Sequence, residues 1–307
     1  MTDAPLTRID LVDGRAAVQV LTVIEQAFGD RPVLDPPATA LDETITSLTE
    51  ALDEHGGLLA TLDGRAVGTL LFRPVEGLLG VRRVGVVADV RHLGVAQQLA
   101  ETAELRARSL GFPGLVLEAR AELPTTVRFW QRLGYAEVGR DGPKLRMVRM
   151  LPTVVTLPEA KDTRALGKRL GKQLRSGDLV VLSGDLGAGK TTFTQGLGEG
   201  LGVRGPVTSP TFVISRVHPS LVGGPDLVHV DAYRLGDAAE LDDLDLDTDL
   251  EEAVTVVEWG TGLAETLQDS RLEVHLARDD AVLEGPDVRT ATVTGVGPRW
   301  QGGVDLR

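Results

Sequence analysis

The sequence predicts an α/β protein made of two domains of similar size. The chain has 307 residues, and because globular domains commonly contain about 100–200 residues, two domains are expected. Short apolar runs typical of strands alternate with segments of helical periodicity in both halves of the chain. Pro152 separates two such series. We therefore expect a boundary after residue 151, with one domain at 1–151 and a second at 152–307.

The individual elements follow from local patterns. In the first half, the strand-like runs are LLATL, AVGTLLF, VRRVGVV, GLVLEA, YAEVG and LRMVRML, and helical patterns lie at about 14–28, 40–54, 94–109 and 125–133. In the second half, the strand-like run TVVTL precedes a helical pattern from about Thr163 to Leu174. The apolar runs DLVVLSG, LVHVD and AVTVVE follow it. Each half therefore predicts an α/β domain.

Composition and charge exclude several functional classes. Hydrophobic residues make up 42% of the chain, but no apolar run approaches the ~20 residues that span a bilayer, so no membrane association is expected. The first residues lack a basic segment followed by an apolar core, which disfavours a signal peptide. The absence of cysteine removes disulfides and thiolate sites, and it fits a cytoplasmic location. The net charge of −13 disfavours unaided binding of nucleic acid, since phosphate neutralisation needs clustered cations.

A phosphate-binding motif lies at residues 183–193, SGDLGAGKTTF. Gly184, Gly189, Lys190 and Thr191 fit the pattern G-x-x-x-x-G-K-[ST]. Glycines let the backbone curl so that its amides point at phosphate oxygens, and the following helix adds its positive N-terminal end. The lysine would neutralise the β- and γ-phosphates, and the threonine hydroxyl would ligate Mg²⁺. A chance glycine-rich turn is the alternative, but the strand-like run before the motif and the helical pattern after it favour a nucleotide site.

Three further motifs follow this loop in order, SPTF at 209–212, HVDAYRL at 229–235 and EWG at 258–260. Together with the loop they resemble the TsaE family, the P-loop ATPases of bacterial tRNA threonylcarbamoyladenosine biosynthesis, over residues 153–280. The resemblance implies a P-loop NTPase α/β domain that binds ATP and Mg²⁺. It also implies TsaD and TsaB as partner proteins, with tRNA reached indirectly through their complex.

The resemblance implies roles for individual residues as well. Lys190, Asp231 and Glu258 would be catalytic, while Thr191, Asp231 and Glu258 would hold the metal. Both acids end an apolar strand, where P-loop proteins place such carboxylates, although Asp231 could instead be a turn residue. His229 is expected to support Asp231 rather than to act as a catalyst. ATP would be bound by residues of the loop and two outlying positions: Thr163, Asp185, Leu186, Gly187, Ala188, Gly189, Lys190, Thr191, Thr192 and Trp259.

Several of these positions also have a structural interpretation. Ser209 and Thr211 would form a switch segment that senses the γ-phosphate, but a turn is the alternative for Thr211. Trp259 could be a core aromatic at a strand end instead of a nucleotide contact. Thr163 would lie near the adenine, or it would cap a helix.

Two charged segments have two possible interpretations each, a solvent-exposed surface or a surface that docks a partner. A basic helix face would either be solvated or contact a partner or tRNA phosphate, and it contains Lys161, Arg164, Lys168, Lys172 and Arg175. The acidic stretch ELDDLDLDTDLEE at 240–252 is expected to be exposed. The family resemblance makes it a candidate contact for TsaB and TsaD.

The first half carries a second resemblance. RHLGVA at 91–96 matches the R-x-x-G-x-[GA] loop of the GNAT family of N-acetyltransferases, with an ordinary strand–helix turn as the alternative. RFWQRLGY at 128–135 resembles a later helix and turn of that family and favours the first interpretation. The resemblance implies a GNAT fold, a mixed sheet with helices on both faces, and acetyl-CoA as cofactor. Amides at the helix N-terminus would bind the pyrophosphate, and backbone around Val86 would polarise the thioester. The residues expected to bind acetyl-CoA are Val86, Val87, Arg91, His92, Leu93, Gly94, Val95 and Ala96.

The residues for acetyl transfer depart from the family pattern. Trp130 occupies the position of the family's tyrosine general acid, and an indole cannot release a proton at useful pH. The family's asparagine before this helix is also missing, since the chain contains none. Glu76, Asp89 and Glu118 are candidates for the base, each with an ordinary surface acid as the alternative.

Three functions compete on these grounds. The first is a fusion of an acetyltransferase with a TsaE-type ATPase. The second is a bifunctional small-molecule P-loop kinase and acetyltransferase, but the acidic, leucine-rich region after Asp231 does not resemble an arginine-rich lid. The third is a non-catalytic GTP-dependent switch, which is disfavoured because the N-K-x-D guanine signature requires asparagine and the chain has none.

Overall fold

The chain forms two compact units, Met1–Leu151 and Pro152–Arg307. The computed structural model describes seven stretches of it: 7–29, 34–37, 39–210, 214–234, 251–264, 267–278 and 288–306. Each unit is built on a seven-stranded mixed sheet, which confirms the predicted α/β class. Within the described stretches, no helix is both long and apolar enough to cross a bilayer.

The first unit contains a sheet with the strand order β1-β2-β3-β4-β5-β7-β6. Its strands are β1 (Thr7–Val12), β2 (Gly57–Leu62), β3 (Arg65–Val75), β4 (Leu78–Val86), β5 (Gly114–Arg120), β6 (Ala136–Asp141) and β7 (Lys144–Met150). Its helices are α1 (Ala17–Gly29), α2 (Ile45–His55), α3 (Val95–Ser109) and α4 (Pro124–Arg132). Apolar residues recur at helical spacing on these helices, and Val20, Leu48 and Leu99 are fully buried in one shared core.

The parallel strands β4 and β5 pair over only three residues, 79–81 with 115–117. Both strands continue further, but the register between β3 and β4 shifts at this point. Arg83 lies in the shifted segment with a φ of +53°, a left-handed conformation that residues other than glycine rarely adopt. This register shift is a β-bulge in β4. A bulge bends its strand and increases the local twist, so the bulge in β4 accounts for the separation of β4 from β5.

The second unit contains a sheet with the strand order β10-β11-β12-β9-β13-β14-β8. Its strands are β8 (Thr153–Leu157), β9 (Leu179–Gly184), β10 (Ser215–His218), β11 (Leu227–Asp231), β12 (Val254–Glu258), β13 (Arg271–Arg278) and β14 (Arg289–Val296). Its helices are α5 (Ala160–Gly171) and α6 (Lys190–Leu201). The strands β11, β12, β9 and β13 are mutually parallel, and β11 and β12 are buried along their whole length. Parallel strands covered on both faces require such continuous apolar runs.

The helices α5 and α6 pack against each other through glycine. A Cβ atom on Gly167 or Gly171 would collide with the backbone of α6, and one on Gly196 or Gly200 would collide with the backbone of α5. The absence of side chains at these positions lets the two backbones approach closely. Since α6 begins at the end of the glycine-rich loop, this packing fixes the direction in which the loop leaves the sheet.

Four strands are absent from the sequence predictions: β1, β10, β13 and β14. The helix predicted from Thr163 to Leu174 begins at Ala160 and ends at Gly171. Its start lies earlier because the backbone N–H of Glu159 donates to the Asp162 carboxylate at 2.9 Å, which closes a first turn that the apolar periodicity does not reveal.

We expect Gly196→Ala to destabilise the second unit by about 2 kcal/mol, because the added methyl group must displace the backbone of α5. The measurement is hydrogen exchange of the β9 amides in the full chain, which reports the opening of this unit. Gly302→Ala is the control, since a Cβ there meets no atom within 4 Å. Equal protection in the two variants would contradict the close packing of α5 and α6.

Candidate functional site

The loop between β9 and α6 has a backbone that only glycine accommodates. Gly184, Gly187 and Gly189 have φ values of +139°, +81° and +103°, and these are costly for any residue with a Cβ. A Cβ on Gly184 would also collide with the carbonyl oxygen of Leu276 on β13. Residues 185–187 of this loop are exposed. The loop therefore presents its backbone to solvent at the carboxyl edge of the parallel strands.

The first amides of α6 have no acceptor within the helix. Gly189 is the N-cap and supplies no side chain, and the N–H of Phe193 donates to the Gly189 carbonyl at 2.9 Å. The preceding amides, those of Lys190, Thr191 and Thr192, lie in the first turn and have no intrahelical acceptor. Together with the positive end of the helix dipole they form an environment that favours an anion.

The side chain of Lys190 is folded back onto its own loop. Its Nζ donates to the carbonyl oxygens of Gly184 at 2.7 Å and Asp185 at 2.9 Å, and it lies 3.8 Å from the centroid of the Trp259 ring. Burial lowers the pKa of Lys190, while the charges of Glu258, Asp231 and Asp185 oppose that change. The ammonium group is therefore stabilised by nearby carbonyls and carboxylates instead of water.

The two predicted acids lie at neighbouring strand ends. Asp231 on β11 is the direct neighbour of Glu258 on β12, and the latter is paired with Leu182 on β9. They are only 6% and 3% exposed, respectively. Asp231 accepts a hydrogen bond from Ser209 Oγ at 3.1 Å, with Oδ2 as the acceptor. The structure thus brings Lys190, Ser209 and both acids to one edge of the sheet.

The predicted partner of His229, Asp231, is wrong. Its Nε2 lies 2.9 Å from Oε1 of Glu258, so the side chain supports that acid rather than Asp231. The reason is the register, since His229 pairs with Val256 and Glu258 projects from the same face two residues further along β12. Thr194 Oγ1 also lies within 3.4 Å of the same carboxylate oxygen. The Thr194 hydroxyl lies closer to the carbonyl oxygen of Lys190, at 3.0 Å, so His229 is the main partner of Glu258.

Thr163 and Trp259 both lie beside the loop. Thr163 is fully buried in the first turn of α5 with its methyl group near Gly189, and the N-cap of that helix is Glu159, so the alternative of a capping threonine is wrong. Trp259 is half-buried with a φ of +62°, and its ring contacts Lys190, which disfavours a purely structural aromatic. Thr211 and residues 240–250 of the acidic stretch lie outside the described residues.

Two side chains near the loop are missing from the sequence predictions. Arg289 on β14 extends toward Gly189, where its Nη1 would lie 3.6 Å from a Cβ atom. His275 on β13 pairs through Nδ1 with Ser183 Oγ at 3.0 Å. Neither residue belongs to a recognisable motif. Only the order of strands in the sheet reveals that they approach the loop.

The exposed basic face of α5 is partly neutralised within the second unit. Lys161 pairs with Glu159 at 2.9 Å, and Arg164 and Lys168 share Glu199 of α6. Lys172 and Arg175 are exposed as well. Exposed pairs of this kind contribute little to stability, and they reduce the net charge that this face offers to a partner.

The first unit contains the predicted loop between β4 and α3. Val86 and Val87 are buried, a short 3-10 helix spans Ala88–Leu93, and Gly94 adopts φ +75° as the N-cap of α3. No side chain caps this helix, so the amides of its first turn, beginning at Val95, have no intrahelical acceptor. The loop thus ends at an uncapped helix N-terminus, an environment that favours an anion as the start of α6 does.

Arg91 and the residues at the end of β4 are held by hydrogen bonds. The guanidinium of Arg91 donates to the carbonyl oxygens of Val86 at 3.0 Å and Ala27 at 3.1 Å. The amide of Val87 donates to Val67 O at 3.0 Å. These bonds fix the loop to β3 and α1, so in this structure Arg91 orients the segment.

A cavity of about 570 Å³ opens where β4 and β5 separate. Trp130 lines it and is 4% exposed, with Phe129 and Tyr135 packed edge-on at centroid distances of 5.0 Å. Of the three candidate bases only Glu118 lines the cavity. The other two are engaged in ion pairs, Glu76 with Arg146 at 2.6 Å and Asp89 with Arg65 at 2.7 Å.

Two family models match different parts of the chain. Residues 157–284 match the family described as "Threonylcarbamoyl adenosine biosynthesis protein TsaE", and residues 23–135 match the "Acetyltransferase (GNAT) family". The chain is 65% identical over 139 residues to the tRNA threonylcarbamoyladenosine biosynthesis protein TsaE of Streptomyces coelicolor, covering 45% of this chain and 93% of that protein. It is 40% identical over 142 residues to the protein of that name from Bacillus subtilis, covering 46% and 84%.

Two solved structures each cover about half of the chain. Bacillus subtilis YdiB is 34% identical, covers 48% of this chain and 90% of its own, and gives a TM-score of 0.39. The PaiA N-acetyltransferase of Thermoplasma acidophilum, solved in complex with coenzyme A, is 13% identical, covers 48% and 99%, and gives a TM-score of 0.43.

We expect His229→Phe to destabilise the second unit by about 1.5–3 kcal/mol, because it leaves the buried Glu258 carboxylate without its closest partner. His229→Gln should lose less, since an amide N–H can still donate to that carboxylate. Urea unfolding of the full chain measures the difference, with His275→Gln as an exposed control. Identical stabilities for the Phe and Gln variants would show that the His229–Glu258 contact is not stabilising.

Proposed function

The chain belongs to the TsaE family, and on this premise we propose that its second unit is an ATPase of tRNA threonylcarbamoyladenosine biosynthesis. The observation that carries the proposal is the convergence of the glycine-rich loop with the buried carboxylates of Asp231 and Glu258. Both acids act on the pKa of Lys190, which supports a shared site. The relatives of this unit bear the name of that biosynthetic pathway.

The described residues fit a nucleoside triphosphate. The backbone amides of 187–192 would bind the phosphates. Gly187 and Gly189 have no side chains that could block the approach of a phosphate to these amides. Lys190 would exchange the carbonyls of Gly184 and Asp185 for phosphate oxygens, so phosphate binding must break two of its present hydrogen bonds. Thr163 and Trp259 flank this loop and are proposed to contact the rest of the nucleotide.

The donor atoms near the loop also fit Mg²⁺. The described residues contain no cluster of three or more His, Cys, Asp or Glu side chains able to hold a metal. Mg²⁺ needs no such cluster, because it is commonly held by one or two carboxylates together with phosphate oxygens and water. We propose that Thr191 and Asp231 are these ligands, directly or through water. The ion would supply charge neutralisation at the phosphates.

Glu258 is proposed to orient the water that attacks the γ-phosphate, or to complete the outer shell of the metal. Its carboxylate is fixed by His229 at 2.9 Å, so it would enter the reaction already positioned. Ser209 contacts Asp231, and with Thr211 it would connect the metal to a switch segment. Lys190 and Asp231 complete the catalytic set.

The first unit carries a GNAT domain, and we propose that it binds acetyl-CoA along residues 86–96. The free amides at the start of α3 would bind the pyrophosphate. Trp130 cannot serve as a general acid, so acetyl transfer to an amine would depend on positioning and on solvent.

We further propose that the protein works in the cytoplasm with TsaD and TsaB, which would bring tRNA to the complex. The acidic net charge of −13 and the partial neutralisation of the basic face of α5 favour indirect contact with the RNA.

We expect Lys190→Ala to weaken ATP binding by at least about tenfold, because the variant lacks the cation that would face the β- and γ-phosphates. Coenzyme A binding should stay unchanged. Calorimetric titration of the full chain with each ligand measures both effects, with exposed Lys161→Ala as the charge-matched control. Unchanged ATP binding in the Lys190 variant would contradict the assignment of the loop, whereas loss of both ligands would show that the two sites are coupled.

We expect Glu258→Gln to retain ATP binding but to lower ATP hydrolysis by about 100-fold, since an uncharged amide orients the attacking water and the metal's outer shell less well than a carboxylate does. Phosphate release in the presence of Mg²⁺, with and without purified TsaD and TsaB, is the measurement. Wild-type hydrolysis should increase when both partner proteins are added. Hydrolysis at the wild-type rate in the Gln variant, or transfer of phosphate to a metabolite instead of water, would contradict the proposed ATPase.

A further inference from the structure

The cavity between β4 and β5 is strongly basic in a chain that is acidic overall. Six cationic side chains and one carboxylate, that of Glu118, are among the described residues that line it. The cations are Arg73, Arg82, Arg83, Arg120, Lys144 and Arg146. Four of them have carboxylate partners outside the lining: Arg82 and Arg83 share Glu43, Arg120 pairs with Glu122 and Arg146 pairs with Glu76. The cavity therefore retains an excess of positive charge.

Arg82 is the least compensated of the half-buried cations. Its Nε is buried and has no hydrogen-bond partner, and the nearest carboxylate, that of Glu43, is 3.9 Å from Nη1. That carboxylate already accepts from Arg83 Nε at 2.8 Å and from Ser47 Oγ at 2.7 Å. Burial lowers the pKa of Arg82, and the charges of Arg83 and Arg73 lower it further against the effect of Glu43. A bound anion would relieve this unfavourable arrangement.

The bulge in β4 brings adjacent arginines into the same cavity. Successive residues of a regular strand point to opposite faces, yet both Arg82 and Arg83 line the cavity. The left-handed conformation of Arg83 produces this exception, and such strain is commonly retained where a site requires it.

The cavity adjoins the segment proposed to bind acetyl-CoA. β4 lines it through Val84, and Val86 lies two residues further along the strand, or about 7 Å. Its volume of about 570 Å³ is in the range of small-molecule sites. Glu118, the only carboxylate among its described lining residues, is available there to accept a proton.

We propose that this cavity binds the acetyl acceptor and that the acceptor is a small amine that also carries a carboxylate or phosphate group. This inference rests on the proposed acetyl transfer. In that reaction the amine nitrogen bonds to the acetyl carbon, the carbon–sulfur bond breaks with its electron pair on sulfur, and the amine proton passes to Glu118 or to water. Arg82, Arg73 and Lys144 bind the anionic group. Their positive charge also disfavours protonation of the amine, which must be neutral to attack.

Matched ligands of equal length test the charge requirement. γ-Aminobutyrate, γ-aminobutyramide and putrescine differ in carrying an anionic, a neutral or a cationic end group. O-phosphoethanolamine and ethanolamine form a second pair, which tests whether a phosphate group strengthens binding as a carboxylate does. Binding to the full chain, with and without coenzyme A, is measured by calorimetry, and turnover is measured as free coenzyme A thiol. The protein contains no cysteine, so it contributes no thiol background.

We expect at least one anionic amine to bind about tenfold more tightly than its neutral counterpart, and putrescine to bind more weakly still. Arg82→Gln and Lys144→Gln should each remove most of this preference, whereas Arg140→Gln, an exposed control that does not line the cavity, should retain it. Equal binding of all three end groups, preference for putrescine, or no binding of either anionic amine up to about 10 mM would overturn the proposal.

The binding measurement separates this inference from the proposed acetyl transfer. Anion-selective binding that depends on Arg82, without any release of coenzyme A, would contradict the transferase activity but support the anion site. Turnover of neutral or cationic amines alone would support the activity and refute the anionic acceptor.

Discussion

The register of three parallel strands is the constraint on which the proposed nucleotide site depends. Asp231 on β11 lies beside Glu258 on β12, which in turn lies beside Leu182, two residues before the loop begins at Gly184. A shift of one residue would turn either acid to the opposite face of the sheet. β11 and β12 are buried along their whole length, and the contact of His229 with Glu258 between them depends on this register. Hydrogen bonds from Ser209 and His229 then offset the cost of burying the two carboxylates.

The parts of this site that could be predicted are those encoded in short, continuous stretches. Gly184, Gly189 and Lys190 belong to one motif, and each acid follows an apolar run, so their meeting at one edge follows from the geometry of parallel strands. The partner of His229 could not be predicted, since it depends on the relative register of two strands. Arg289 approaches the loop from a distant strand for which no motif exists. The sequence leaves two roles for Thr163, a helix cap or a nucleotide contact. Several residues before it can also cap α5, and the carboxylate of Asp162 accepts from the backbone N–H of Glu159.

The first unit shows a different limit of sequence interpretation. VRRVGVV at 81–87 was predicted as a strand, and regular alternation would place Arg82 and Arg83 on opposite faces. The bulge at Arg83 is invisible in that pattern, yet it brings both arginines to the cavity. The helix terminus at Gly94 and the position of Trp130, by contrast, follow from local motifs. Thus the candidate cofactor segment could be predicted from sequence, whereas the charge of the neighbouring cavity required the structure.

Hydrogen exchange of the full chain with and without Mg·ATP tests the central claim most directly. If the loop and the two strand ends form one nucleotide site, ATP should slow exchange of the amides at 187–192 and at the ends of β11 and β12. The amides of β4 and the start of α3 in the first unit should be unaffected. Protection confined to other segments, or none at concentrations that saturate binding, would contradict the account.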